Sequence, residues 1–160
     1  MPDSSPLELA LLIGLQGAGK STFYRARFAV THVLVSKDLF PNNRDKSRRQ
    51  RQLVSEALQA GRSVVVDNTN AAVEERADLV SIGRAFGATV TGYFFVPDVR
   101  GSLARNRNRE GKARVPDVAV FATSKRLQSP TFAEGFDALF DVRLEGDTFS
   151  LQERPREEQR

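Results

Sequence analysis

Gly14-Leu15-Gln16-Gly17-Ala18-Gly19-Lys20-Ser21 is the stretch on which the reading of this chain turns. It has the pattern G-x-x-x-x-G-K-[ST], in which glycines let backbone amides wrap phosphate groups where side chains would obstruct them. In that pattern Lys20 reaches the β and γ phosphates of a nucleoside triphosphate, and Ser21 ligates Mg²⁺. The helix that begins near Lys20 points its positive end at the anion. Gly14, Gln16, Gly17, Ala18, Gly19, Lys20, Ser21 and Thr22 form the expected ATP-binding set. The context agrees: an apolar run at 9–13 stands directly before the loop, and a helix-compatible stretch at 20–30 follows it.

Outward from this loop, strand-like and helical stretches alternate: 32–35 then 46–60, 63–66 then 73–86, 89–96 then 98–109. Such alternation predicts an α/β fold of parallel strands joined by right-handed crossover helices. Leu11-Leu12-Ile13 and Val64-Val65-Val66 lack polar alternation, as expected of strands covered on both faces. A last apolar segment, 139–144, adds a final strand, and 153–160 reads as a charged tail that frays. With 160 residues, 40% apolar and 28% charged, the chain is expected to be one domain, 1–160, with its core at about 7–145.

Cysteine is absent, which excludes a disulfide-linked partner and a thiolate metal site and fits a cytoplasmic setting. The apolar run at 7–14 is too short to cross a bilayer and lacks a basic lead, so neither secretion nor membrane insertion is expected. Net charge is +4, and of 24 basic residues only Lys20, Lys37, Lys46, Lys112 and Lys125 are lysines. Arginine's planar fork suits phosphate oxygens. It clusters at Arg48, Arg49 and Arg51 and again through 105–114, so that either a polyanion or plain solvated helix faces account for the pattern.

Two aspartates stand where strands end. Asp38 follows the run 32–35, on the edge where open α/β sheets collect ligands. A kinase transferring to an alcohol needs a base near the incoming hydroxyl, and Asp38 has that chemistry; capping a turn that begins at Leu39 is its other role. Asp67 ends Val64-Val65-Val66, the pattern of an acid that holds Mg²⁺ with Ser21. Asn68-Thr69-Asn70 follows; Asn68 and Asn70 either orient Asp67, Asp38 or the acceptor, or form a turn and helix cap before Ala71. In 98–109, Arg105 and Arg109 share a helical face, and Arg107 points elsewhere. Arginines in a lid over ATP neutralise charge on the transferred phosphoryl group. His32 and the spread aromatic residues read as structural.

Taken together, Gly17-Ala18-Gly19-Lys20-Ser21-Thr22-Phe23, Ser36-Lys37-Asp38, Val65-Val66-Asp67-Asn68-Thr69-Asn70, Arg105-Asn106-x-x-Arg109 and Val115-Pro116 resemble the polynucleotide 5′-hydroxyl kinase family. The segment Ser129-Pro130-Thr131 with Glu134-Gly135-Phe136-Asp137 adds to the likeness, which runs over about 9–144. The resemblance implies an adenylate-kinase-like P-loop NTPase fold with an arginine-bearing lid, ATP as donor, and a nucleic acid with a 5′-hydroxyl end as acceptor. It implies also that Asp38 is the general base and that Arg109, with Arg105, engages donor phosphates. The bacteriophage enzyme of this family carries an acceptor-gripping arginine three residues after its catalytic aspartate. Pro41 stands there in this chain, and Arg44 is the candidate substitute. No Asp-x-Asp-Gly-Thr phosphatase motif occurs. A small-molecule kinase of the same superfamily, acting on a sugar, nucleoside or nucleotide sugar as zeta-type toxins do, is the alternative. A module that hydrolyses ATP without transfer is a third reading, against which Asp38 argues.

Overall fold

A computed structural model describes residues 6–111 and 114–156. The parts of the expected domain at 1–5, of the basic segment at 112–113 and of the tail at 157–160 lie outside the described residues. Six strands form one sheet in the order β2-β3-β1-β4-β5-β6: β1 (Glu8–Ile13), β2 (Val33–Val35), β3 (Val64–Asp67), β4 (Thr89–Phe95), β5 (Ala138–Glu145) and β6 (Thr148–Glu153). The first five are parallel and β6 pairs antiparallel with β5. The chain lays β2 and β3 on one side of β1 and β4 and β5 on the other. The carboxyl end of β1 is therefore the switch point where α/β sheets bind ligands. Register puts Leu12 beside Asp67, which brings the start of the phosphate loop next to the end of β3.

Both faces of the central strands are covered, as their unbroken apolar runs require. Leu9, Leu11 and Ile13 point to one side with Val64, Val66 and Val90, packed under helices α2 (Lys46–Gln59) and α3 (Val73–Ala85) through Val54, Leu58, Leu79 and Val80. Ala10 and Leu12 point to the other, where Phe23 of α1 (Lys20–Arg27) meets Phe28, Tyr93 and Phe95. α2 buries Gln50, Val54 and Leu58, one face at a four-residue interval, and Asp45 caps it by accepting from Arg48 N at 3.0 Å. α4 (Val99–Arg107) is capped by Asp98, and α5 (Asp117–Arg126) follows Pro116. His32 is structural: it bonds Glu8 at 2.7 Å, and Glu8 also accepts from Thr91. Burial alone would raise the Glu8 pKa, but these two hydrogen bonds together with the charges of His32 and Arg27 outweigh it and hold the carboxyl below its ordinary value.

Three expectations change. α1 ends at Arg27 rather than near 30, because Phe28 turns the chain and its carbonyl accepts from Thr31 and His32. Gly111 and Pro116 mark a loop after the lid in the sequence, but α5 occupies much of that stretch. The tail expected to fray from 153 is tied down as far as 156. Glu153 closes β6, Arg154 grips Asp141 with Nε and a terminal nitrogen, and it donates to Pro130 O at 2.7 Å.

Candidate active site

The phosphate loop runs from the end of β1 into α1 and is shaped by contacts that exclude side chains. Gly17 has φ +78, and a Cβ there would lie 2.4 Å from the Ser102 carbonyl oxygen on α4. Gly19 caps α1 with φ +95, a left-handed conformation that leaves the first amides of the helix directed at the loop. Lys20 is only 8% exposed, and its Nζ donates to Gly14 O at 2.7 Å and Leu15 O at 2.9 Å. Burial lowers its pKa to about 8; Asp67 and Asp38 pull it back up, and Arg109 pushes it further down. Those three groups therefore converge on one ammonium. Ser21 Oγ donates to Asp67 Oδ2 at 2.9 Å.

These groups fit ATP and Mg²⁺. The glycines leave room for phosphate, and the Ser21–Asp67 pair presents the hydroxyl and single carboxylate with which proteins hold a Mg²⁺ that keeps its waters and phosphate ligands. Among the described residues no cluster of three or more His, Asp or Glu could hold a metal by itself. The Lys20 shift gives a direct check. Between about pH 8 and the ordinary lysine value the free site has lost a proton that a bound triphosphate would restore. ATP binding at pH 8.5 is thus expected to take up a substantial fraction of a proton, read by calorimetry in buffers of different ionisation heat. Binding without uptake would mean that Lys20 does not meet the phosphates.

A cavity of about 750 Å³ opens beside the loop, lined among others by Ser21, Thr22, Arg25, Lys37, Asp38, Asn68, Arg109 and Arg126. Asp38 sits in a 3₁₀ turn, Lys37–Leu39, just past β2. The cap of that turn is Ser36, whose Oγ accepts from Asp38 N at 3.3 Å, which leaves the Asp38 carboxylate to line the cavity. Asn68 Oδ1 accepts from Lys37 N at 3.0 Å, and its Nδ2 donates to the buried Gln50 on α2. Asn70 is 3% exposed with φ +46 and donates to Leu12 O at 2.8 Å. Both asparagines border the cavity, but these amide bonds hold the loop after β3 against β1, α2 and the Asp38 turn. Arg44 is exposed and is not among the residues that line the cavity.

The two lid arginines separate. α4 ends at Arg107, so the helical period does not carry to Arg109, which lines the large cavity. Arg105 instead donates from Nε to Gly17 O and faces a smaller cavity, about 260 Å³, with Leu15, Ala18, Phe95 and Val142. Arg107 bridges to Asp117 at 2.9 Å, away from both. On α2, Arg49 bonds Gln52 and Arg51 reaches Asp78 at 3.6 Å, and neither these nor Arg48 lines either cavity.

Other lining residues carry no sequence signal. Arg25 lies one turn past Ser21, Glu75 opens α3, and Arg126 closes α5. Gln16 donates from Nε2 to Thr123 Oγ1 of α5 at 3.0 Å, which joins the phosphate loop to that helix. Its Oε1 is buried without a hydrogen-bond partner among the described residues, an acceptor suited to a donor arriving with the ligand.

Parallel strands in this order, a glycine loop feeding a helix, and a serine at the start of that helix bonded to an aspartate at the end of the adjacent strand define the P-loop kinase class. The profile of the AAA_33 family, described as an AAA domain, matches residues 9–130, and the chain belongs to that family. The bifunctional polynucleotide phosphatase/kinase of Schizosaccharomyces pombe is 28% identical over 141 residues, covering 84% of this chain and 33% of that protein. The chain spans about a third of the length of the curated relatives it matches. Among solved structures, a fungal RNA kinase superposes with TM-score 0.67 at 17% identity, covering 90% of this chain and 40% of the other. A gluconokinase from Sinorhizobium meliloti 1021 gives 0.62 at 18% identity, covering 86% and 82%. At these identities the structural likeness concerns the fold. No helix among the described residues is long and apolar enough to cross a membrane.

Proposed function

We propose that this domain is an ATP-dependent polynucleotide 5′-hydroxyl kinase. The observation that carries the reading is the Asp38 carboxylate in the same cavity as Ser21, with Arg25, Lys37, Arg109 and Arg126 around it. A base, a donor-phosphate site and surplus positive charge are what transfer to an alcohol on a polyanion requires. Asp38 accepts the proton of the 5′-hydroxyl as its oxygen bonds to the γ-phosphorus, and the bond from that phosphorus to the β-bridging oxygen breaks to release ADP. Lys20 and Arg109 neutralise charge on the β and γ oxygens, and Arg105 with the apolar walls of the smaller cavity receives the base. Mg²⁺ at Ser21 and Asp67 would offset the remaining phosphate charge.

A gluconokinase shares the fold, so small sugars are the second acceptor class to set against polynucleotides on the same donor machinery. Incubation with Mg²⁺ and γ-labelled ATP against 5′-hydroxyl DNA, 5′-hydroxyl RNA, nucleosides and gluconate separates them. Label is expected on the oligonucleotides, with an apparent affinity that falls steeply as salt is added, because phosphate contacts release counterions. Label confined to gluconate or another sugar would overturn the polynucleotide reading.

A further inference from the structure

The large cavity carries a cation that the donor phosphates and the Asp38 turn leave unexplained. Arg126 reaches it from the end of α5. Its Nε donates to Glu75 Oε1 at 3.3 Å, a long contact between two well exposed side chains, 49% and 37%. Such a pair contributes little to stability and yields readily to a stronger anion. Glu75 does not depend on it, because its Oε2 accepts from Ala71 N at 3.1 Å and so fixes the carboxylate at the first turn of α3. α5 is in turn tied to the phosphate loop through Gln16 and Thr123, so the guanidinium is carried on an element anchored to the donor site.

We propose that Arg126 exchanges Glu75 for a phosphate that belongs to the acceptor, and so selects a phosphorylated alcohol, a nucleotide or polynucleotide end, over a bare nucleoside or sugar. The inference rests on the kinase reading above and names the grip on the acceptor that Arg44 does not supply. An arginine fork binds phosphate with two donors and needs no rearrangement beyond the swing away from Glu75. Because the exchange breaks only the one Arg126–Glu75 bond, the Ala71–Glu75 bond and the loop after β3 stay as they are.

The test uses the wild-type chain with Arg126→Ala, Arg126→Lys and Glu75→Gln, γ-labelled ATP, and two acceptors, a nucleoside 3′-monophosphate and the same nucleoside without phosphate. Arg126→Ala is expected to raise KM for the nucleotide by about tenfold or more, with KM for the nucleoside and for ATP unchanged. Arg126→Lys should restore part of the loss. Glu75→Gln keeps an acceptor for Ala71 N but removes the competing charge, so KM for the nucleotide should fall. Equal losses on nucleoside and nucleotide, a raised KM for ATP, or a higher nucleotide KM in Glu75→Gln would overturn the assignment while the kinase reading stands. If only sugars take label, the polynucleotide reading falls instead. The same variants on a sugar phosphate against its parent sugar then decide the role of Arg126.

Discussion

Asp38→Asn is expected to lower phosphoryl transfer by on the order of a hundredfold or more, with ATP affinity nearly unchanged. Asparagine keeps the size of the side chain and loses the charge that accepts the hydroxyl proton. The turn that carries it should survive, because Ser36 Oγ and Asn68 Oδ1 hold its backbone amides independently of the carboxylate. Asp38 also helps keep Lys20 protonated, so the comparison belongs at pH 7 or below, on the acid side of the Lys20 value of about 8. Transfer rate and ATP affinity are measured on the same folded variant. Near-normal transfer would remove Asp38 from the chemistry, and a joint loss of both would place it among the groups that hold the donor.

Arg76→Ala is expected to cost about 3–5 kcal/mol of stability, the range for removing one partner of a buried ion pair. Arg76 is wholly buried, and its guanidinium meets both oxygens of Glu134 at 2.9 and 3.0 Å. It also donates to the carbonyls of Asn70, Ala71 and Gln128 at 2.9, 3.1 and 2.9 Å. The substitution leaves a nearly buried carboxylate and three carbonyls without their donor, beside the loop that follows Asp67. Urea denaturation reads the loss, and replacing Glu134 by Gln in the same chain should recover part of it. A loss below about 1 kcal/mol, the level of an exposed pair, would mean that water takes over these contacts.

The strands and the phosphate loop were legible because their signals are local. An apolar run, three glycines and a lysine within eight residues need no knowledge of the rest of the chain. Asp67 was legible for the same reason, standing at the end of Val64-Val65-Val66. α5 was not, since Pro116 reads as a breaker although it begins the helix, and exposed Val118 and Phe121 blur the apolar stripe around buried Val120. β6 was hidden by its charged flank, although Phe149 and Leu151 alternate as a half-covered strand does. The pairing of Arg105 with Arg109 followed from a helical period that stops at Arg107, and a periodic argument holds only as far as its helix. Arg126 and Glu75 meet across 51 residues of chain, which no spacing rule anticipates.

The antiparallel β6 has a consequence for how the molecule behaves in company. An eight-residue β5 left at the margin of a parallel sheet would present a long row of unpaired amides and carbonyls, a template for a neighbouring chain. β6 occupies that row over six paired positions, and Arg154 clamps it shut against Asp141. The opposite margin, β2, is only three residues long. β6 then forms the border itself, six residues in place of eight, and it also sets Phe149 beside Gly19 of the phosphate loop. Shortening the chain within that hairpin would lay the eight-residue margin of β5 bare and withdraw Phe149 from beside Gly19, so the border of the sheet and the packing of the phosphate loop would be disturbed together.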